Sequence, residues 1–330
     1  MVQPQRQRPR ASSFDLDRSL NRESGFTYPP INPVTEVRLL KPSQHPSEKR
    51  LDFDFEVVPL KNLSTTKYNA LSYTWGRISS ASDLHTIHIA NQPFLIRKNL
   101  FDFLTTSPFT DDTLFFIDAL CINQFHDPER QSQVQLMTAI YRRAASVLAW
   151  LGPPPPDKLP AIQSLASASP SASPASWTPS QLDAHRYLSH HPYWTRVWVL
   201  QEILLASSVT VRCGVFDFPL RVFAGCAPSG SNWRGTPASM LTTYRLRTLL
   251  RPVPGGLDPL AGGAEVLGMG EMLSKLRSPA SSKFQIQEYQ SALPDTLAEI
   301  FTRYGHLECE DARDKLYGFL GLLSVEGGVG

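Results

Sequence analysis

Three acidic residues sit where a carboxyl group can do chemistry. Glu202 lies within Trp198-Val199-Leu200-Gln201-Glu202-Ile203-Leu204-Leu205-Ala206. In so apolar a helix the acid must face water in a cleft or find a cation, because burying it alone costs several kcal/mol or forces its protonation. Trp198, four residues earlier, shares its helical face, with Cβ atoms about 5–6 Å apart. An indole beside a carboxylate suits a flat cation or a sugar. The other reading is structural: Glu202 bonds to Arg196, Arg142 or Arg143 and pins its helix, since buried ion pairs perturb acids without any catalysis. Asp118 closes the apolar run Leu114-Phe115-Phe116-Ile117, at the edge where open α/β sheets form a ligand crevice. Glu129 falls in a first helical turn, where the macrodipole favours negative charge, and capping is its expected role.

The signatures of commoner chemistries are missing. The sequence has no G-x-S-x-G nucleophile elbow and no G-x-x-x-x-G-K-[ST] phosphate loop. Gly268-Met269-Gly270 begins a dinucleotide fingerprint, but Leu273 stands in place of its third glycine. No metal centre is expected. His85 and His88 on a strand point to opposite faces, adjacent His190 and His191 cannot easily share one ion, and no cysteine or carboxylate joins them at ligand spacing.

These side chains need a frame. Residues 36–40 and 52–57 alternate apolar with polar, the period of half-buried strands, and should pair with each other. A third strand is expected over 69–75, ending at Gly76. Residues 86–89 and 94–97 form a hairpin around Asn91-Gln92-Pro93, followed by a short helix from Asn99. The run 114–117 suits a strand covered on both faces. With Asp127 as N-cap and Pro128 at the first helical position, Val134, Met137, Ile140, Tyr141, Ala144 and Leu148 recur at helical spacing. A strand over 147–151 follows. From 152 to 180 come eight prolines and seven serines, a composition expected to form a mobile insertion. A helix over 194–206 and a strand over 209–213 then resume the strand/helix alternation of an α/β sheet. Farther on, 292–304 and 311–323 read as helices.

The 330 residues are 42% hydrophobic, with 32 Lys+Arg against 30 Asp+Glu. Bulk disorder is excluded, and a formal charge of +2 gives no broad basic field for nucleic acid. No stretch approaches the roughly 20 apolar residues of a spanning helix, and Met1 to Arg10 contain no apolar export segment. The expectation is a cytoplasmic protein with reduced thiols at Cys121, Cys213, Cys226 and Cys309. Residues 1–33 read as a flexible tail, 34–214 as one domain with the insertion at 152–180, and 215–330 as an irregular and helical C-terminal extension.

Several segments together resemble a known family. Tyr68-Asn69-Ala70-Leu71-Ser72-Tyr73-Thr74-Trp75-Gly76, Phe116-Ile117-Asp118-Ala119-Leu120-Cys121-Ile122-Asn123-Gln124 and Trp194-Thr195-Arg196-Val197-Trp198-Val199-Leu200-Gln201-Glu202 are similar to the signature segments of the heterokaryon-incompatibility (HET) domain of filamentous fungi. Asp311-Ala312-Arg313-Asp314-Lys315-Leu316-Tyr317-Gly318 resembles a segment often found downstream in these proteins. The resemblance implies fungal self/non-self discrimination leading to programmed cell death, with other HET or allelic incompatibility proteins as partners and self-association. It also implies an α/β fold similar to Toll/interleukin-1 receptor (TIR) domains: a flavodoxin-like parallel sheet flanked by helices, here with added β-hairpins and a mostly helical C-terminal region. In that comparison 70–73, 114–117 and 147–151 are the first three parallel strands. Enzymatic TIR domains carry a W-x-x-x-E element that cleaves NAD+, and Trp198 and Glu202 are similar to it. By this resemblance Glu202 is the catalytic candidate with NAD+ as substrate, while Ser72, Tyr73, Trp75, Asp118, Arg130 and Trp198 are candidate substrate-binding residues. The alternative implied is a non-catalytic TIR-like interaction module.

Overall fold

The alternating runs fold as strands, and their neighbours decide what the alternation means. The computed structural model describes residues 21, 25–43, 50–107, 113–168 and 176–223, then 305, 307–309, 314–315 and 318–319. Among these, β1 (Glu36–Pro42), β2 (Asp52–Pro59), β3 (Tyr68–Tyr73), β4 (Leu84–Ile89), β5 (Gln92–Arg97), β6 (Leu114–Phe116), β7 (Ser146–Trp150), β8 (Val209–Cys213) and β9 (Phe216–Pro219) form one nine-stranded sheet. Its order is β5-β4-β2-β1-β6-β3-β7-β8-β9. The expected pair β1–β2 is antiparallel, with Leu39 opposite Glu56. The hairpin β4–β5 turns at Ala90 and Asn91, which have φ of 51° and 61°, one residue earlier than expected. Positive φ at both loop positions is the two-residue turn that matches strand twist. Pro93 therefore lies inside β5, which is tolerable because β5 is an edge strand. Its outer side is met by Asn21, whose amide donates to the Leu95 carbonyl at 2.8 Å and accepts from the Leu95 N–H at 2.7 Å.

The functional core is the parallel segment β6-β3-β7-β8. Counted along the chain its order is 2-1-3-4, the arrangement of one class of doubly wound sheet. Helices cover both faces, and adjacent residues show it. Phe115 meets Phe103 of α1 (Lys98–Thr106) edge-on at 5.9 Å, while Phe116 meets Tyr141 of α3 (Asp127–Arg143) at 6.0 Å on the other side. Between them, α2 (Asp118–Cys121) is a single turn at the end of β6. The cap of α3 is His126, not Asp127: its Nδ1 accepts from the Glu129 N–H at 3.2 Å. No helix among the described residues is long and apolar enough to cross a membrane. Cys121, Cys213 and Cys309 are free thiols.

Two expectations fail for physical reasons. The proline- and serine-rich stretch holds α4 (Leu159–Ala166), which buries Ala161, Ile162 and Leu165, and leads to α5 (Pro179–Ser189), capped by a Thr178–Gln181 box. Apolar spacing at 162 and 165 outweighs the composition, and Pro160 sits near a helix start, where its missing N–H costs nothing. The turn at Gly214 (φ 57°) requires glycine, because a Cβ there would stand 2.6 Å from Pro154 Cδ. The helix expected over 194–206 is broken into a 3-10 turn, Pro192–Thr195, and α6 (Val199–Leu204). Between them Arg196 is extended (φ −75°, ψ 138°) and forms a parallel bridge with Glu308. The expected helix over 292–304 lies outside the described residues. Of 311–323 only 314, 315, 318 and 319 are described, and they are helical.

Arg38 is the second surprise. Alternation assigns it to water, but β1 lies between β2 and β6 and the side chain is 1% exposed. Its guanidinium donates to Glu129 at 2.5 and 3.2 Å, to the Pro29 carbonyl at 2.7 and 2.9 Å and to the Cys121 carbonyl at 3.2 Å. It also lies 4.9 Å from the centre of the Tyr28 ring. Glu129 accepts from the Asn123 N–H at 3.0 Å as well, so its role is to pair with Arg38 rather than merely to sit well in a helix dipole. Removing one partner strands a buried charge. Glu129→Ala is expected to cost roughly 3–5 kcal/mol in thermal melting, and Arg38→Met with Glu129→Leu to recover most of that loss. An unchanged melting temperature in the single variant would refute the assignment.

Candidate functional site

Strand alternation sorts the candidates onto two faces. Tyr68 and Ser72 of β3 point toward α3 and α6: Tyr68 Oη donates to the Ile140 carbonyl at 2.6 Å, and Ser72 reaches Glu202. Tyr73 points to the opposite face, with Leu100 of α1 among the residues around it. Ser72 and Tyr73 therefore cannot line one pocket, contrary to the expectation that both bind substrate.

Ser72 is fully buried and central to a hydrogen-bond chain. Its hydroxyl donates to Glu202 Oε2 and contacts Tyr193 Oη. Since a carboxylate only accepts, the serine proton goes to Glu202 and the tyrosine donates to the serine. Burial first, and the neighbouring Glu202 charge second, push the Tyr193 phenol well above its ordinary pKa, so it stays a donor. The same two causes raise Tyr141, which donates to the Leu71 carbonyl at 2.9 Å.

Glu202 itself is 1% exposed. Its cation is Arg196, with Nη1 at 3.5 Å from Oε2, one of the three arginines that the sequence offered. Burial works to lower the pKa of Arg196, but Glu202, Tyr193 and Asp118 outweigh it and raise the net value. The guanidinium stays charged. Arg143 instead donates to the Leu60 carbonyl at 2.8 Å.

Asp118 stands at the C-terminal end of β6, as its sequence position implied. Trp75 Nε1 donates to its two oxygens at 3.1 and 3.3 Å, and the Ala119 N–H donates at 2.7 Å. Burial, then the Glu202 charge, raise its pKa to about 6, partly offset by Arg196 and these two donors. Asp118, Arg196 and Glu202 thus form one electrostatic unit. The aromatic at 75 serves that unit by holding Asp118 and lies 5.5 Å from the Arg97 guanidinium.

The remaining candidates lie apart. Arg130 pairs with Asp127 of its own helix at 3.2 Å. Trp198 is half-buried at the N-cap of α6 and packs on the core. A cavity of about 40 Å³, lined by Tyr73, Trp75, Phe94, Arg97 and Phe125 among others, opens on the Tyr73 side of the sheet, and neither Ser72 nor Glu202 reaches it. It has room for about three waters at ~10–15 Å³ each, far less than a dinucleotide needs. Among the described residues no group of three or more His, Cys, Asp and Glu is placed to hold a metal.

Sequence reasoning missed Tyr193. It lies 121 residues from Ser72, and no spacing in the sequence ties the two together.

Comparison with known proteins accounts for this arrangement of segments. Residues 68–202 match the family model described as Heterokaryon incompatibility protein (HET). The match opens on the first residue of β3 and closes on Glu202, so it encloses the parallel strands β3, β6 and β7 and both ends of the Ser72–Glu202 bond. A curated relative, Heterokaryon incompatibility protein 6, OR allele, of Neurospora crassa, is 31% identical over an alignment of 159 residues that covers 43% of this chain and 23% of that protein. The chain thus spans under a quarter of the relative's length. No solved structure matches. Residues 68–202, with the parallel strands and the carboxyl at 202, are thus similar to the HET domain.

Proposed function

We propose that the chain acts in heterokaryon incompatibility and that, in the conformation described, its sheet domain is a non-catalytic interaction module built around Glu202. One observation carries this reading: the Glu202 carboxyl is 1% exposed and is taken up by Ser72 and Arg196. A group that must touch a ribose cannot do so from there. Its partners would be other HET or allelic incompatibility proteins, with self-association, and the outcome programmed cell death in the cytoplasm. The name of the Neurospora relative supports the incompatibility role, and the 2-1-3-4 strand order supports the TIR likeness.

A second reading keeps NAD+ glycohydrolysis, and the acid cluster favours it. Glu202, Asp118 and Ser72 lie at or beside the C-terminal ends of parallel strands, where such sheets bind ligands. An exposed Glu202 would stabilise the oxocarbenium-like ribosyl centre left when nicotinamide departs. Nicotinamide leaves as a neutral molecule from a cationic precursor, so no proton donor is needed. This chemistry requires Glu202 to be uncovered.

One measurement separates the readings, and a second tests the acid cluster that both share. In the first, Glu202→Ala strands Arg196 and should lower stability by roughly 3–5 kcal/mol, while concentrated wild-type protein releases no nicotinamide from NAD+. Release that Glu202→Gln abolishes without a change in melting would replace the module reading with the hydrolase. In the second, the folded pKa of Asp118, about 6, lies above the ordinary 3.8. The folded state therefore holds the extra proton, and this stabilisation is full below about pH 4 and lost as pH rises through 6. Between pH 4 and 7 wild type should lose on the order of 1–3 kcal/mol relative to Asp118→Asn. Parallel melting behaviour would remove Asp118 from the cluster.

A further inference from the structure

We propose that His191 is the positioning residue of the Glu202 site: while neutral it holds the turn that delivers Tyr193 and Arg196 to that site, and once protonated it releases the turn. The inference rests on the reading of Glu202 as the anchor of the module.

The turn Pro192–Thr195 begins on a proline, which has no N–H to satisfy. The first backbone donor that needs a partner is therefore that of Tyr193, and His191 supplies it: its Nδ1 accepts from the Tyr193 N–H at 3.2 Å. Asparagine or serine in that place would accept at any pH. An imidazole accepts only while neutral, because both ring nitrogens of the cation are donors. The turn is one end of a chain that runs into the site. Tyr193 Oη meets Ser72 Oγ, and Ser72 donates to Glu202. The Tyr193 carbonyl accepts from the Arg196 N–H at 3.4 Å, and the Arg196 guanidinium reaches Glu202 at 3.5 Å. Ser72 and Arg196, the two groups that take up the carboxyl, are thus both bonded to the residue that His191 caps.

The surroundings of His191 favour its neutral form. Burial lowers its pKa to about 4, and among the described residues no charged group adds to that cause. Tyr187 of α5 faces its ring nearly edge-on at 6.3 Å, and Tyr193 lies beside it in the turn. Burial, the largest cause for each, raises both phenols, so neither brings a charge. Adjacent His190 bonds instead with the Arg186 carbonyl at 2.8 Å. A folded pKa below the ordinary 6.5 means that the unfolded chain takes up the proton first. The stability that neutral His191 contributes is therefore full above about pH 6.5 and lost as pH falls toward 4, opposite in direction to Asp118.

Urea unfolding of the full chain at pH 7 and pH 4 tests this, with Asp118 present in every sample so that its opposite trend cancels. Relative to His191→Asn, whose amide oxygen accepts at both pH values, wild type is expected to lose on the order of 100-fold in its folding equilibrium constant between them. His191→Ala, with no acceptor, should be less stable than His191→Asn at both. Parallel curves for wild type and His191→Asn would overturn the proposal. A merely structural histidine would not act on Glu202, so carbodiimide labelling of carboxyl groups at about pH 4.5, read by mass spectrometry, gives the second readout. Glu202 should label severalfold faster in wild type than in His191→Asn, a local opening, with Glu129, held by Arg38, equal in both. Equal labelling of Glu202, or Glu129 rising with it, would also overturn the proposal. Nicotinamide release from NAD+ by wild type at pH 7, where His191 is neutral, would instead sink the non-catalytic reading and leave His191 in its role.

Discussion

A carboxyl group buried in an apolar helix is the constraint to which this domain is fitted. Glu202 would be unaffordable alone among Leu200, Ile203 and Leu204. The chain answers with three groups from three places: a serine on the first parallel strand, a guanidinium from the extended link before α6, and a tyrosine that backs the serine. Each answer constrains its own element. Ser72 must lie on the α3 and α6 face of β3, which sends Tyr73 to the other face. Arg196 sits in the extended link between two short turns and reaches Glu202 from there. Asp118 then feels the surplus negative charge and keeps a proton more readily than an ordinary aspartate does.

The second buried pair, Arg38 with Glu129, does comparable work on the antiparallel half. It joins β1, the Pro29 segment, α2 and α3 through one guanidinium. Buried pairs of this kind add little net stability against an apolar substitute, but they penalise every arrangement in which the partners fail to meet. Arg38 stands on β1 and Ser72, which holds Glu202, on β3, so the two pairs flank β6.

Local pattern was enough for most strands and for α3, because burial on one face imposes a period that short windows reveal. Asp118 was legible for the same reason, since a strand end is a local fact. The failures share a cause in long-range pairing. Arg38 reads as a surface residue until β6 is known to flank β1. The helix expected over 194–206 is broken by Glu308, more than 100 residues on, and Tyr193 has no spacing that ties it to Ser72. Composition misled at 159–166, where Ala161, Ile162 and Leu165 seat a helix, while 169–175 lie outside the described residues. The W-x-x-x-E spacing marked a residue that matters, but spacing carries no information on solvent access, and access decides between an anchor and a catalyst.

The outermost strand carries one more consequence. Asn21 fills both the N–H and the carbonyl of Leu95 with a single side-chain amide, which is the hydrogen-bond pattern that an incoming strand would need. A second copy approaching this rim meets an occupied socket rather than an open ladder. The rim is thereby blunted at Leu95 as a template for strand pairing.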